Sequence, residues 1–162
     1  MEPVRYVDAL NKHYAAAGNP PYQWTINNDA PLHRLDRPLP KCTVALLTSG
    51  GISQCSMPAF DPMARNDHRV DAIDAAVAST DFQIHDSYYD HRDADQDINC
   101  QFPIDRLREM AQRGEIGAVA RRFWSGFMGR TYNRTKVLQE SAPAFAAELA
   151  RDHVDLLIAV PA

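Results

Sequence analysis

Apolar and polar positions change rhythm several times along this chain, and each rhythm predicts a different element. Val4, Val7, Leu10 and Tyr14 recur at helical spacing, so a short helix is expected over residues 4–17. Gly18, Asn19 and two prolines end it. The stretch that follows, PPYQWTINNDAPLHRLDRPLPK, loses periodicity and holds five of the eleven prolines. It also carries Tyr22, Trp24, Leu32 and Leu35, which suit water poorly. An extended arm lying on the domain or on a partner subunit is therefore expected, with plain disorder as the alternative.

The rhythm of an α/β domain begins at Cys42. CTVALLTSGG is a β-branched, apolar run closed by two glycines, a buried strand and its turn. The next stretch, ISQCSMPAFDPMARNDHR, reads as loop, and residues 71–78 are too short to assign. Phe82 and Ile84 alternate with polar residues, predicting a second strand over 81–85 with polar side chains emerging at its end. PIDRLREMAQRG is the strongest helix: Pro103 suits the first turn, Ile104, Leu107 and Met110 or Ala111 make one face, and Gly114 is the stop. RRFWSGFMG reads as strand then loop, and Ser141 is expected to cap a helix running to about Arg151. That helix feeds DLLIAVPA, a short apolar run of the buried-strand kind. The succession predicts a three-layer α/β domain over 42–162, with a mostly parallel, Rossmann-like sheet, preceded by the helix and proline-rich arm of 1–41. A sheet whose last strand is newly laid lacks the helix that should follow, so the domain is expected to be incomplete at its C-terminus and poorly stable or partner-dependent alone.

Composition narrows the function classes. The 162 residues are 45% hydrophobic and 23% charged, with a formal net charge of −4. That balance offers no electrostatic basis for binding nucleic acid or an anionic membrane. No apolar run approaches a membrane span, and the N-terminus lacks a signal-peptide core. Three cysteines, Cys42, Cys55 and Cys100, form no CxxC pair, which suits a reducing cytoplasm.

Candidate chemistry gathers in the predicted strand-end loops. In LLTSGG, Thr48, Ser49 and free backbone N–H groups could hold a carboxylate or phosphate, or the glycines could form only a tight turn; no nucleotide fingerprint accompanies them. His85, Asp86, Asp90, His91, Asp93, Asp95 and Asp97 crowd the next loop, with Tyr89 among them. A hard or borderline metal is conceivable there, but the EF-hand glycine and glutamate positions hold Ile98 and Ile104, and neither HExxH nor HxH occurs. The alternative is a structural or substrate-orienting loop that caps the next helix and neutralises Arg92, Arg106 and Arg108. Cys100 precedes that helix, where a thiol can become a nucleophile, and Cys55 is a weaker candidate. Both equally suit inert roles. Arg121, Arg122 and Arg130 flank the GFMG loop, either to receive a carboxylate or as surface charge.

Three stretches, in order, carry a resemblance: TVALLTSGG, the block HDSYYDHRDADQDINCQFPIDRLREMAQRGEIG, and FMG followed by a helix and VDLLIAVPA. They resemble the selenoprotein B component of glycine, sarcosine and betaine reductases and the related subunit of D-proline reductase, over about three-quarters of the chain. The resemblance implies an oxidoreductase for reductive cleavage of a small amino-acid-like substrate. A selenol, ionised at neutral pH, or a thiol attacks carbon and displaces an amino group. It implies no cofactor held by this chain: selenocysteine and a pyruvoyl group on a partner subunit are the groups involved, and a thioredoxin-like partner supplies electrons. It also implies an oligomer. The reactive cysteine or selenocysteine of such proteins follows a strand like VDLLIAVPA, so it is expected after Ala162, with truncation at a selenocysteine codon read as stop. By the same resemblance Thr48, Gly50 and Gly51 would line the cleft. His85, Tyr89, Asp90, Asp97 and Asn99 would form the loop facing the redox motif, and Phe127 and Gly129 would shape a third loop. Cys100 ranks below the downstream residue. A non-catalytic small-anion-binding or regulatory subunit and a metal-dependent hydrolase using the His/Asp loop are the competing readings.

Overall fold

The computed structural model describes residues 6–21, 26, 28–29 and 33–161. The chain divides into two compact units, 1–34 and 35–162. In the first, α1 (Tyr6–Ala16) forms as its spacing predicts and buries none of its residues. Tyr22, Trp24 and Leu32, on which the expectation of an extended arm rests, lie outside the described residues.

The second unit is a three-layer α/β domain. Its central strand β1 (Thr43–Thr48) pairs in parallel, from Val44 to Thr48, with β7 (Leu156–Val160). Its other edge takes β5 (Ala118–Val119) and then β6 (Arg122–Gly126), both parallel. Val44 pairs with Val119 but Leu47 pairs with Trp124, so a bulge of two extra residues lies between those pairs; Ala120 stays buried with its N–H on the Val44 carbonyl, and Arg121 follows it. On the far side of β6 lies β3 (Val70–Asp74), which is antiparallel.

Alternation assigns the two faces. Val44, Leu46 and Phe123 point to one face and build the core with Ile104 and Leu107 of α3 (Ile104–Gln112). There the Phe102 ring meets Phe123 edge-on at 5.8 Å. Trp124, one residue on, points to the other face and meets Phe145 of α5 (Ala142–Arg151) at 5.1 Å. The helices thus cover opposite faces, as right-handed crossovers from β1 to β6 and from β6 back past β1 to β7 require. Gly114, at φ +71 just past α3, stops that helix as expected.

Several expectations are corrected. Strand β4 (Phe82–Ile84) does not enter the main sheet; it pairs antiparallel with β2 (Ile52–Gln54), part of the stretch read as loop, in a separate two-stranded sheet. Three alternating residues predict a strand but carry no information about its partner. Ser141 caps nothing: it has helical φ and ψ, and the helix begins earlier, at α4 (Arg134–Lys136), continuing through a π-helical turn (Val137–Ser141) into α5. Asn133 is the cap, its Oδ1 accepting the Lys136 N–H at 3.2 Å. The acidic stretch holds a short helix, α2 (Arg92–Gln96), that periodicity does not show. Finally, β7 is a half-buried edge strand rather than a buried one, with Leu157 and Ile158 36% and 37% exposed, because β1 is the strand it pairs with.

Candidate active site at the strand carboxyl ends

Strand β1 lies between the two crossovers that leave the sheet on opposite faces, and in open α/β sheets ligands bind in the crevice outside such a switch point. The chain leaving β1 turns there through Gly50 and Gly51. Gly51 has φ +66, and a Cβ on it would stand 2.4 Å from the His85 carbonyl oxygen, so only glycine fits that turn.

Four other segments close on these glycines. The His85 N–H donates to the Gly51 carbonyl at 2.9 Å, and the Tyr89 hydroxyl donates to the Gly50 carbonyl at 2.9 Å. The loop after β6 sends Met128 inward, where its Sδ accepts the Gly51 N–H at 3.1 Å. The end of β7 contributes the Val160 carbonyl, which accepts the Ser49 N–H at 3.3 Å. Gln101 lies against Gly50 and donates from Nε2 to the Pro161 carbonyl at 3.1 Å. The buried Thr48 hydroxyl accepts the Gly50 N–H at 3.1 Å.

These bonds bear on the expected anion cradle. The N–H groups of Ser49, Gly50 and Gly51 donate to Val160, Thr48 and Met128, so the turn offers none of the three to a ligand. What it offers is a rigid, hydrogen-bonded hub. The Tyr89 hydroxyl is pushed up to about 12, by burial first and then by Asp86 and Asp95, so it stays protonated and able to donate.

Of the residues singled out from the sequence, Thr48, Gly50, Gly51, His85 and Tyr89 meet at this hub, His85 through its backbone. Phe127 and Gly129 flank Met128. Phe127 has φ +53 and sets its ring 5.7 Å from Phe145, while Gly129 lies beside the Tyr88 ring. Asp90, Asp97 and Asn99 make their bonds elsewhere. Asp90 holds Arg92, whose hydrogen bonds lower the Asp90 pKa. Asp97 accepts from the Asn99 N–H at 3.0 Å and amide at 2.8 Å, which lowers its pKa. Asn99 Oδ1 in turn accepts the Asp105 N–H at 2.8 Å, capping α3. The expected neutralising role of the acidic loop holds for Arg92 alone, and the α3 N–H is taken by the Asn99 amide rather than by a loop carboxylate. Arg106 and Arg108 pair instead with carboxylates of α3 itself, Glu109 and Asp105.

Among the described residues no three His, Cys, Asp or Glu side chains converge as a metal site would need. Cys100 and Cys55 are exposed free thiols, and Cys42 is buried and free. Arg121 and Arg122 are committed to the buried Asp152 rather than to a ligand. The bulge turns both toward one carboxylate, with Nε–Oδ distances of 2.5 and 2.7 Å.

The sequence profile of the glycine/sarcosine/betaine reductase selenoprotein B family matches residues 13–161. The chain belongs to that family. It is 31% identical over 158 residues to the D-proline reductase subunit gamma of Acetoanaerobium sticklandii, covering 98% of this chain and 61% of that protein. It is 32% identical over 127 residues to the glycine reductase complex component B subunit gamma of Peptoclostridium litorale, covering 73% of this chain and 27% of that protein. The chain therefore spans less than two-thirds of the length of either relative. Both relatives are named as subunits. No solved structure matches.

Sequence reasoning missed two members of the hub in this selenoprotein B family chain, Gln101 and Met128. Gln101 sits inside the specific INCQFPIDR stretch, directly after Cys100, and a neutral side chain gave no chemical signal. Met128 reads as an ordinary apolar loop residue; its sulfur acts only because the loop after β6 folds onto Gly51. A cleft of about 430 Å³ lies elsewhere, between α5 and the β3–β6 face, lined by His68, Trp124, Phe145 and Glu148 among others. None of the α5 residues beside it is fully buried. The indole N–H of Trp124 and Nδ1 of His68, both from residues lining the cleft, are buried without a hydrogen-bond partner. Among the described residues no helix is long and apolar enough to cross a membrane.

Proposed function

We propose that this chain forms the substrate-facing cleft of a selenoprotein-B-type reductase subunit, acting in thiol- or selenol-dependent reductive cleavage of a small amino-acid-like substrate. The observation that carries the proposal is the convergence of the loops after β1, β4 and β6 and the exit of β7 on the Gly50–Gly51 turn. The redox cysteine or selenocysteine is assigned to the position directly after the β7 strand, where the family resemblance implies it. In the reaction, a chalcogenolate forms a bond to carbon while the C–N bond breaks and the nitrogen leaves as a protonated amine. A thiol then attacks the chalcogen, the carbon leaves with a proton, and a second thiol reduces the mixed bond to give a disulfide. The electrons come from a thioredoxin-like thiol donor, and a pyruvoyl-bearing or other reductase subunit activates the substrate. The cytoplasm, which keeps thiols reduced, is the compartment this chemistry needs.

The competing anion-binding reading loses support from the engaged N–H groups of the turn, and the metal-hydrolase reading from the scattered acids. The test is expression of the full-length protein with its partner subunits, followed by assay of thiol-dependent reduction of glycine, betaine and proline. Amine release from glycine or betaine, or ring opening of proline, stoichiometric with disulfide, together with a reactive residue directly after the β7 strand, is the expected result. An inactive complex that carries such a residue intact would refute the proposal.

A further inference from the structure

We propose that Gln101 is a positioning residue: its side chain clamps the chain leaving β7 onto the Gly50 turn and so sets where the following residues stand in the cleft. That those residues include the reactive one rests on the function proposed above; the clamp itself rests on geometry alone. Beyond Val160 the ladder between β1 and β7 ends, its last bond being the one from the Ser49 N–H at 3.3 Å. Pro161 has no N–H with which to extend it, so its carbonyl is its only backbone hydrogen-bonding group. Gln101 Nε2 donates to that carbonyl at 3.1 Å.

Gln101 is well placed to hold something still. It lies between the 3-10 turn Ile98–Cys100 and α3, and its own N–H donates to the Ile98 carbonyl at 3.1 Å. Its neighbour Phe102 is fully buried, edge-on to both Phe82 and Phe123 at 5.8 Å. The amide passes over Gly50, where a Cβ would stand 3.0 Å from Cγ and Nε2 of Gln101 and 3.1 Å from the Tyr89 hydroxyl. A bare Cα at position 50 is therefore what lets the Gln101 side chain cross to Pro161, while the Tyr89 hydroxyl beside it holds the Gly50 carbonyl.

The experiment compares Gln101→Met and Gln101→Glu with wild type in the full-length protein assembled with its partners. Both variants keep the length of the side chain and lose the N–H donor. Hydrogen exchange of the segment that follows Val160 should accelerate about fivefold, the effect of losing one net hydrogen bond. Turnover should fall tenfold or more with KM within about twofold, because misplacing a reacting group lowers kcat rather than binding. Gly50→Ala should reproduce the exchange change by displacing Gln101, and combining it with Gln101→Ala should be less than additive. Unchanged exchange in both Gln101 variants overturns the clamp, and altered exchange with unchanged kcat overturns its positioning role. Mapping of alkylated residues in wild type judges the other reading separately. A reactive residue outside the segment after β7 would defeat the proposed function while leaving the exchange result to decide on Gln101.

Discussion

Replacing Gly51 by alanine tests whether the turn after β1 is set by close approach as well as by backbone conformation. Gly51 has φ +66, where an alanine costs about 1–2 kcal/mol. Its new Cβ would also lie 2.4 Å from the His85 carbonyl oxygen and 2.8 Å from that carbonyl carbon. Both are backbone atoms and cannot rotate away. The strand-end segment must move instead, at a further cost of about 1–3 kcal/mol. The total, about 2–5 kcal/mol, corresponds to a fall in Tm of roughly 10 °C for a chain of this size. Gly114 supplies the control: it has φ +71, and an added Cβ there meets nothing within 4 Å. Gly114→Ala should therefore show the conformational cost alone, about 1 kcal/mol and roughly 3 °C. Urea and thermal denaturation of both variants beside wild type measure the difference. Equal losses for the two, or a Gly51→Ala protein within about 1 kcal/mol of wild type, would refute the claim that the turn is packed against the loop after β4.

Asp152→Asn should destabilise the domain by about 2–3 kcal/mol, less than a fully buried pair, because Asp152 is 0% exposed but Arg121 is largely in solvent. Asp152 has its pKa lowered, chiefly by the hydrogen bond from Arg122, so its contribution is full above the unfolded carboxylate value of about 4 and is lost as pH falls through the lower folded one. Urea melts between pH 3 and 7 should show a loss at the acid end that the Asn variant lacks. Tyr89→Phe removes the donor to the Gly50 carbonyl and should cost about 1 kcal/mol in urea melts. With the wild-type phenol raised to about 12, its ultraviolet titration should lie above that of a free tyrosine, and its contribution should be lost as pH rises from about 10 through 12. Asn99→Ala should cost about 1 kcal/mol by uncapping α3, visible in the same melts. In native protein a thiol reagent should label Cys55 and Cys100 quickly and Cys42 only on unfolding; rapid labelling of all three would contradict the burial of Cys42.

Much of this fold could be read locally. PIDRLREMAQRG repeats at the period of the helix it forms, CTVALLTSGG, RRFWSG and DLLIAVPA are short apolar or aromatic runs of the strand kind, and β1, α3, β6 and β7 lie where those patterns place them. Side-chain period is a property of a few neighbouring residues, so one chain suffices to read it. The resemblance to the reductase family was legible for a similar reason, since an ordered block such as DINCQFPIDRL identifies itself without coordinates. Pairing was not legible, because a strand's partner and register depend on segments far away. Nothing within Phe82–Ile84 says that it meets Ile52–Gln54 rather than the main sheet, or that Val70–Asp74 runs antiparallel to β6. Nor does RRFW announce the bulge that turns Arg121 and Arg122 toward one carboxylate. The site divides in the same way. The sequence alone marked Thr48, Gly50, Gly51 and Tyr89 as residues to watch, because glycines and polar groups after an apolar run signal a strand-end turn. Only the tertiary structure decided that the turn's N–H groups are spent on Thr48, Met128 and Val160. It alone brought Gln101 across Gly50 to Pro161, since each of those bonds joins parts of the chain that meet only when the sheet has closed.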